Sequence, residues 1–147
     1  MPTFEDGDFV LGESGAILRY IADKYDLRTF YPRDHKERAK LDQTMSWIHF
    51  TILPELFKCL ALRVFPFYLK SGSHPEGEAK EGIINGYKST LKLIEDDLNS
   101  DYLYGDKLTI VDLLLHAYLA YTDVMGFCGT VEEIELPRLL KWYRLVG

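Results

Sequence analysis

The stretch LTIVDLLLHAYLAYTDVM, Leu108 to Met125, constrains the fold of this chain more than any other segment. Thr109 and Asp112 stand three positions apart, the spacing of a capping box in which Asp replaces the commoner Glu. Leu108 and Leu113 occupy the flanking positions where a hydrophobic staple closes. Beyond that start the segment is apolar almost all round. A helix with no polar face has to be surrounded by other elements. The chain therefore reads as mainly α, packed around this segment. At 147 residues, 47% of them hydrophobic, it has the size of one ordinary domain and enough apolar surface for a real core.

The neighbours of that central helix are legible by period. Asp34 is placed to cap a long helix reaching to about residue 69, with an inner face at Leu41, Met45, Ile48, Ile52, Leu56, Leu60 and Val64. Pro54 lies mid-run and predicts a kink or break. A further helix is expected over about 78–98, with Ile83, Tyr87, Leu91, Ile94 and Leu98 on one face. Residues 71–77 between them read as an exposed loop. A last helix, about 136–146, carries Pro137 near its first position. Glu132, Glu133 and Glu135 ahead of it read as a solvated helix start.

The first 25 residues differ in kind. PTFEDGDFVL reads as two short strands, with Asp6-Gly7 as the turn. A helix is expected over about 13–25, with Ala16, Ile17, Tyr20 and Ile21 on its apolar side and Ser14 as the N-cap. Residues 26–33, broken by Pro32, read as a linker. One hairpin is marginal alone and needs cover for its face and edges.

Several function classes fall away. The net charge is −6, and no basic cluster or stripe appears, so nucleic acid is not an expected partner. No apolar run approaches the roughly 20 residues of a membrane span. His35, His49, His74 and His116 have no His or Cys at ligand spacing, so no metal is expected. His116, in an apolar helix, reads as a core histidine. There is no P-loop, GxGxxG or GxSxG. Cys59 and Cys128 are expected to be reduced and buried, which fits a cytoplasmic protein.

What remains is Glu13-Ser14. Serine and glutamate suit a helix start on their own account. The same free amides and helix dipole also make an anion site. A carboxylate could meet the Ser14 amide and hydroxyl while Glu13 takes an ammonium. The head group of an α-amino acid carries both charges.

The order of these pieces resembles a known family. PTFEDGDFVLGESGAILRYIADKY is similar to the second half of the thioredoxin-like domain of cytosolic glutathione transferases. YPRDHKERAKLDQTMSWIH resembles the start of their helical domain, nearest to the theta class and its delta and epsilon relatives. LTIVD and PRLLKW match later motifs of that domain. The resemblance implies a partial thioredoxin-like domain at 1–25, a linker at 26–33 and an all-α transferase C-terminal domain at 34–147. It implies that glutathione is the co-substrate, bound by Met1, Pro2, Glu13 and Ser14. Glu13 and Ser14 would hold the γ-glutamyl group. Pro2 would be cis, and Met1, at a position usually held by valine, would pair with the cysteinyl backbone. The electrophile pocket would involve Arg63, Phe65, Pro66 and Tyr68. Phe50 stands where some theta members carry a polar residue that reaches across the dimer.

Two readings of function follow. In the family the serine or tyrosine that activates the glutathione thiol lies in the βαβ unit ahead of Met1, and a closing helix lies after Gly147. No catalytic residue is therefore expected within these 147 residues. The intact enzyme would conjugate glutathione to electrophiles, as a homodimer or as a subunit of a larger assembly. The alternative is a non-catalytic binding or assembly subunit with the same fold.

Overall fold

The computed structural model describes residues 2–68, 75–125, 128 and 130–147, with the side chains at 61, 63–68 and 125 outside that description. Strands β1 (Thr3–Asp6) and β2 (Phe9–Gly12) lead into helix α1 (Ser14–Lys24). Then come α2 (His35–Trp47), a π turn (Ile48–Ile52), α3 (Leu53–Tyr68), α4 (Gly77–Asp97), α5 (Ile110–Met125), a 3-10 turn (Val131–Glu133) and α6 (Pro137–Val146).

The strands pair antiparallel with Asp6 opposite Phe9, so the two loop residues are Gly7 and Asp8, one position later than the Asp6-Gly7 turn expected. Gly7 has φ 64°, and Asp8 is not among the residues with positive φ. Positive φ at the first loop position alone is the type II′ pattern, which takes glycine there. Tyr20 of α1 covers one face of the hairpin. Its ring centroid lies 5.9 Å from that of Phe4 and 5.1 Å from that of Phe9. Its hydroxyl donates to Asp6 at 2.6 Å, and Lys24 pairs with the same carboxylate. The Lys24 ammonium and the Tyr20 hydroxyl hold the Asp6 carboxyl below its ordinary range. Among the described residues these are the only two strands of the sheet, so both outer edges are unpaired.

Helix α5 is the centre. Ile110, Val111, Leu114, Leu115 and Leu119 are buried, and α1, α2, α3 and α6 all pack on it. Its start holds half of the capping box read from sequence, because the Thr109 hydroxyl donates to the Asp112 carboxylate instead of accepting from the Asp112 amide. The Asp112 carboxylate accepts from the Thr109 amide at 2.9 Å and from the Thr109 hydroxyl at 2.8 Å. The same carboxylate accepts from Leu103 N at 2.8 Å and Trp142 Nε1 at 2.9 Å. One buried side chain thus ties the loop before α5 and the body of α6 to the start of α5. The Ile110 amide donates to Phe30 O at 3.1 Å, fixing the 26–33 segment to the same point.

The inner face expected across 41–60 is buried throughout. Asp34 caps α2, accepting from Lys36 N at 2.9 Å and Glu37 N at 3.0 Å. The expected break appears as the π turn just ahead of Pro54. Proline has no N–H to give the carbonyl of Phe50, and its ring crowds that turn, so the helix widens there before resuming. Tyr87, Leu91, Ile94 and Leu98 of α4 complete the core.

Two local readings change. Glu132 and Glu133 stand exposed in the first turn of a separate 3-10 helix, not at the start of α6, and Glu133 closes a capping box with Thr130 there, accepting from Thr130 N at 2.9 Å. The start of α6 is instead met from across the core by Glu95, buried on α4, which accepts from Leu139 N at 2.7 Å and Arg138 N at 3.3 Å. Cys59 and Cys128 are not free thiols. They form a disulfide, with Cα atoms 6.4 Å apart. Their 69-residue separation concealed the proximity, which arises only once α3 packs against α5. The 71–77 loop falls mostly outside the described residues.

Candidate functional site

Helix α1 begins directly after Glu13, whose backbone sits at φ 65°, ψ 114°. Positive φ is uncommon outside glycine, and strain of this kind clusters at ligand sites. Glu13, not Ser14, is the N-cap position, and no side chain caps the helix there. The expectation that the Ser14 hydroxyl caps α1 is therefore overturned. Its Oγ lies 2.8 Å from the Tyr118 hydroxyl on α5. That hydroxyl lies 3.3 Å from His49 Nε2 in the π turn. The first bond within α1 runs from Ile17 N to Glu13 O at 2.9 Å, leaving the Ser14, Gly15 and Ala16 amides ahead of it.

Close packing holds this helix start in place. A Cβ on Gly15 would stand 2.8 Å from Met45 Sδ and 2.9 Å from His49 Cε1, so glycine lets α1 settle onto α2 and the π turn. One turn on, Arg19 Nε donates to Asp42 at 2.7 Å. Tyr31 donates to the same carboxylate at 3.1 Å, and the Arg38 guanidinium lies 4.1 Å above the Tyr31 ring.

The helix start opens on a cavity of about 700 Å³. Pro2, Glu13 and Ser14 line it together. Leu53, Leu56, Phe57 and Leu60 of α3 and Leu113, Ala117 and Tyr121 of α5 supply a largely apolar wall. A charged and hydrogen-bonding rim beside an apolar chamber suits a ligand with a zwitterionic head and an apolar part. Three of the residues singled out from sequence thus share one chamber. Met1 and the side chains of Arg63, Phe65, Pro66 and Tyr68 lie outside the described residues, and with Met1 the geometry of the Met1–Pro2 bond. No group of three or more metal-ligating side chains occurs among the described residues. No described helix is long and apolar enough to cross a membrane. His116 stacks on Tyr143 with centroids 4.7 Å apart and lies edge-on to Trp142, away from this cavity, as a packed aromatic.

His49, Phe57, Tyr118 and Tyr121 were not singled out from sequence. Tyr118 sits in a segment apolar all round, where nothing marks one polar atom as facing a cavity. The signal that could have found it is its position two helical turns beyond Val111, on the same side as Leu114.

The chain is similar to known proteins in sequence and in fold. Residues 1–23 match the glutathione S-transferase N-terminal domain, and residues 64–147 match the glutathione S-transferase C-terminal domain. The chain is 32% identical over 149 residues to glutathione S-transferase theta-1 of Gallus gallus, covering 99% of this chain and 56% of that protein. It is 33% identical over 150 residues to the theta-1 enzyme of Rattus norvegicus, covering 99% and 60%. Among solved structures it superposes on human theta-class glutathione transferase in complex with the glutathione conjugate of 1-menaphthyl sulfate. There the TM-score is 0.84 at 28% identity, with 100% of this chain and 59% of that one covered. Human glutathione transferase theta-2, in complex with glutathione and an unknown ligand, gives a TM-score of 0.85 at 28% identity, covering 100% and 60%. The chain belongs to the glutathione S-transferase family, with theta-class relatives. It spans 56–60% of the length of the curated theta-1 relatives named above.

Proposed function

We propose that the cavity binds glutathione and that the whole protein transfers it to electrophiles. Glu13 takes the α-ammonium of the γ-glutamyl group. The Ser14 hydroxyl and the free amides at the start of α1 take its carboxylate. Pro2, with Met1 before it, faces the cysteinyl portion, and the electrophile occupies the apolar chamber between α3 and α5, with Arg63, Phe65, Pro66 and Tyr68 as further candidate contacts. The observation that carries this reading is the strained Glu13-Ser14 pair opening onto that chamber. Under this reading residues 1–25 are part of a thioredoxin-like domain, 26–33 a linker and 34–147 the helical domain. The protein then works in the cytoplasm as a homodimer or within a larger assembly.

A second reading, binding or assembly without turnover, is favoured by one observation. The Ser14 and Tyr118 hydroxyls on the cavity wall bond to each other, so one of their two protons is already engaged before any thiol arrives. Calorimetry with glutathione tests the shared part of both readings. Glutathione should bind, and Glu13→Ala and Ser14→Ala should each weaken binding by about tenfold or more. Equal affinity in all three proteins would overturn the assignment. Turnover of an aryl halide with glutathione separates the two readings.

A further inference from the structure

We infer that Tyr118 and His49 form a polarity relay that decides whether the Ser14 hydroxyl can donate to a bound carboxylate. The inference rests on the glutathione reading above and names positioning residues for the same site. Three groups from three elements lie in series: Ser14 Oγ on α1, the Tyr118 hydroxyl on α5 at 2.8 Å, and His49 Nε2 in the π turn at 3.3 Å. Both ends of the chain line the same cavity.

The chemistry of the middle group makes the series directional. A tyrosine hydroxyl has one proton to donate, and a neutral imidazole nitrogen either donates or accepts. If Nε2 is bare, Tyr118 donates to it, and Ser14 donates to Tyr118. The serine proton is then spent, and Ser14 offers a ligand only lone pairs, which repel a carboxylate. If Nε2 carries the proton, Tyr118 accepts from His49 and donates to Ser14 Oγ. The serine proton is then free to point into the cavity. A bound carboxylate selects the second arrangement, so binding at Ser14 favours the proton on His49 Nε2.

Placement supports this. His49 is pressed under the start of α1, its Cε1 filling the space a Cβ on Gly15 would need. Its edge-to-face approach to the Tyr118 ring, with centroids 6.2 Å apart, leaves Nε2 within reach of the hydroxyl. The π turn is what sets His49 on this line, and such turns recur at functional sites.

The test is a thermodynamic cycle with glutathione as the probe, on the full 147-residue chain. Tyr118→Phe, which keeps the ring, should weaken glutathione binding by about fivefold, the effect of one hydrogen bond. In a Ser14→Ala background the same change should have no further effect, because Tyr118 acts only through Ser14. The ¹⁵N shift of His49 Nε2 should move toward the protonated-nitrogen position when glutathione binds, and should not move in Tyr118→Phe. Urea midpoints of the variants distinguish loss of folding from loss of the relay. A fivefold effect that persists in Ser14→Ala, or an unmoved His49 shift in wild-type protein, would overturn the relay while leaving the glutathione reading standing. Failure of glutathione to bind the wild-type chain, or full binding by Ser14→Ala, would overturn that reading itself.

Discussion

Asp112 offers the sharpest test of what holds the helical part together. Its side chain is fully buried, and each oxygen accepts two hydrogen bonds, one pair from Leu103 N and Trp142 Nε1, the other from Thr109 N and Oγ1. Asp112→Ala strips all four donors of their acceptor. Hydrogen bonds to a charged group are worth about 1.5–3 kcal/mol each. The simple total overstates the loss, because the wild type also bears the cost of burying a charge, and the Thr109 hydroxyl can rotate to another partner. Breaking a buried charged network costs about 3–5 kcal/mol, and about 4 is expected here. Asp112→Asn should cost less, about 2 kcal/mol. With its amide toward Thr109, the hydroxyl can turn round and accept, so only the Thr109 amide is orphaned. Trp142→Phe removes one donor and leaves the carboxylate with three, which should cost about 1 kcal/mol in hydrogen bonding. Urea unfolding followed by far-UV circular dichroism at pH 7 reads all three. Asp112→Ala more damaging than Asp112→Asn is the signature, the smaller ring of Trp142→Phe adding a cavity cost of its own at a fully buried site. An Asp112→Ala chain within about 1 kcal/mol of wild type would refute the idea that this carboxylate ties α5, α6 and the preceding loop together.

Other outcomes follow from single features. Glu13→Gly should raise the unfolding free energy by about 0.5–1 kcal/mol, because glycine adopts φ 65° without strain, while calorimetry shows weaker glutathione binding. Burial pushes the Tyr87 hydroxyl up to about 12. The unfolded chain ionises near pH 10, so the stabilisation is whole below that pH and drains away between about 10 and 12. Tyr87→Phe should therefore gain on wild type across that window in urea titrations, and a constant difference would contradict the assignment. Reducing the Cys59–Cys128 bridge reopens a loop of 69 residues and should cost about 2–4 kcal/mol, read as a lower urea midpoint with dithiothreitol.

Sequence patterns revealed those parts of the fold whose partners are near in the chain. Asp34, Thr109 with Asp112, and the apolar stripe from Leu41 to Leu60 all state their roles within a few residues. Glu95 meets Leu139, 44 residues away, and Ser14 meets Tyr118 across 104. Neither pairing leaves a local signature. The candidate site was half legible for the same reason. Glu13-Ser14 declares itself as a helix start with the chemistry of an anion site. The groups that orient it arrive from α5 and the π turn, and a tyrosine or histidine on an apolar helix looks the same whether it packs or points into a cavity. Ser14 was misread as a cap because sequence cannot show that Glu13 bends first.

The π turn carries a consequence for phase. Leu41, Met45, Ile48, Ile52, Leu56 and Leu60 are all buried, yet the run is about one residue longer than five turns of a straight helix. The surplus residue is absorbed at Ile48–Ile52. Below that point everything is rotated by about 100° from where an uninterrupted helix would carry it. That rotation aims Leu53, Leu56, Phe57 and Leu60 at the cavity. A one-residue deletion that closed the π turn into a regular helix would keep the chamber wall in phase, whereas a one-residue deletion elsewhere in the run would turn that wall by about 100°. Within this helix, length is a coordinate of the binding site.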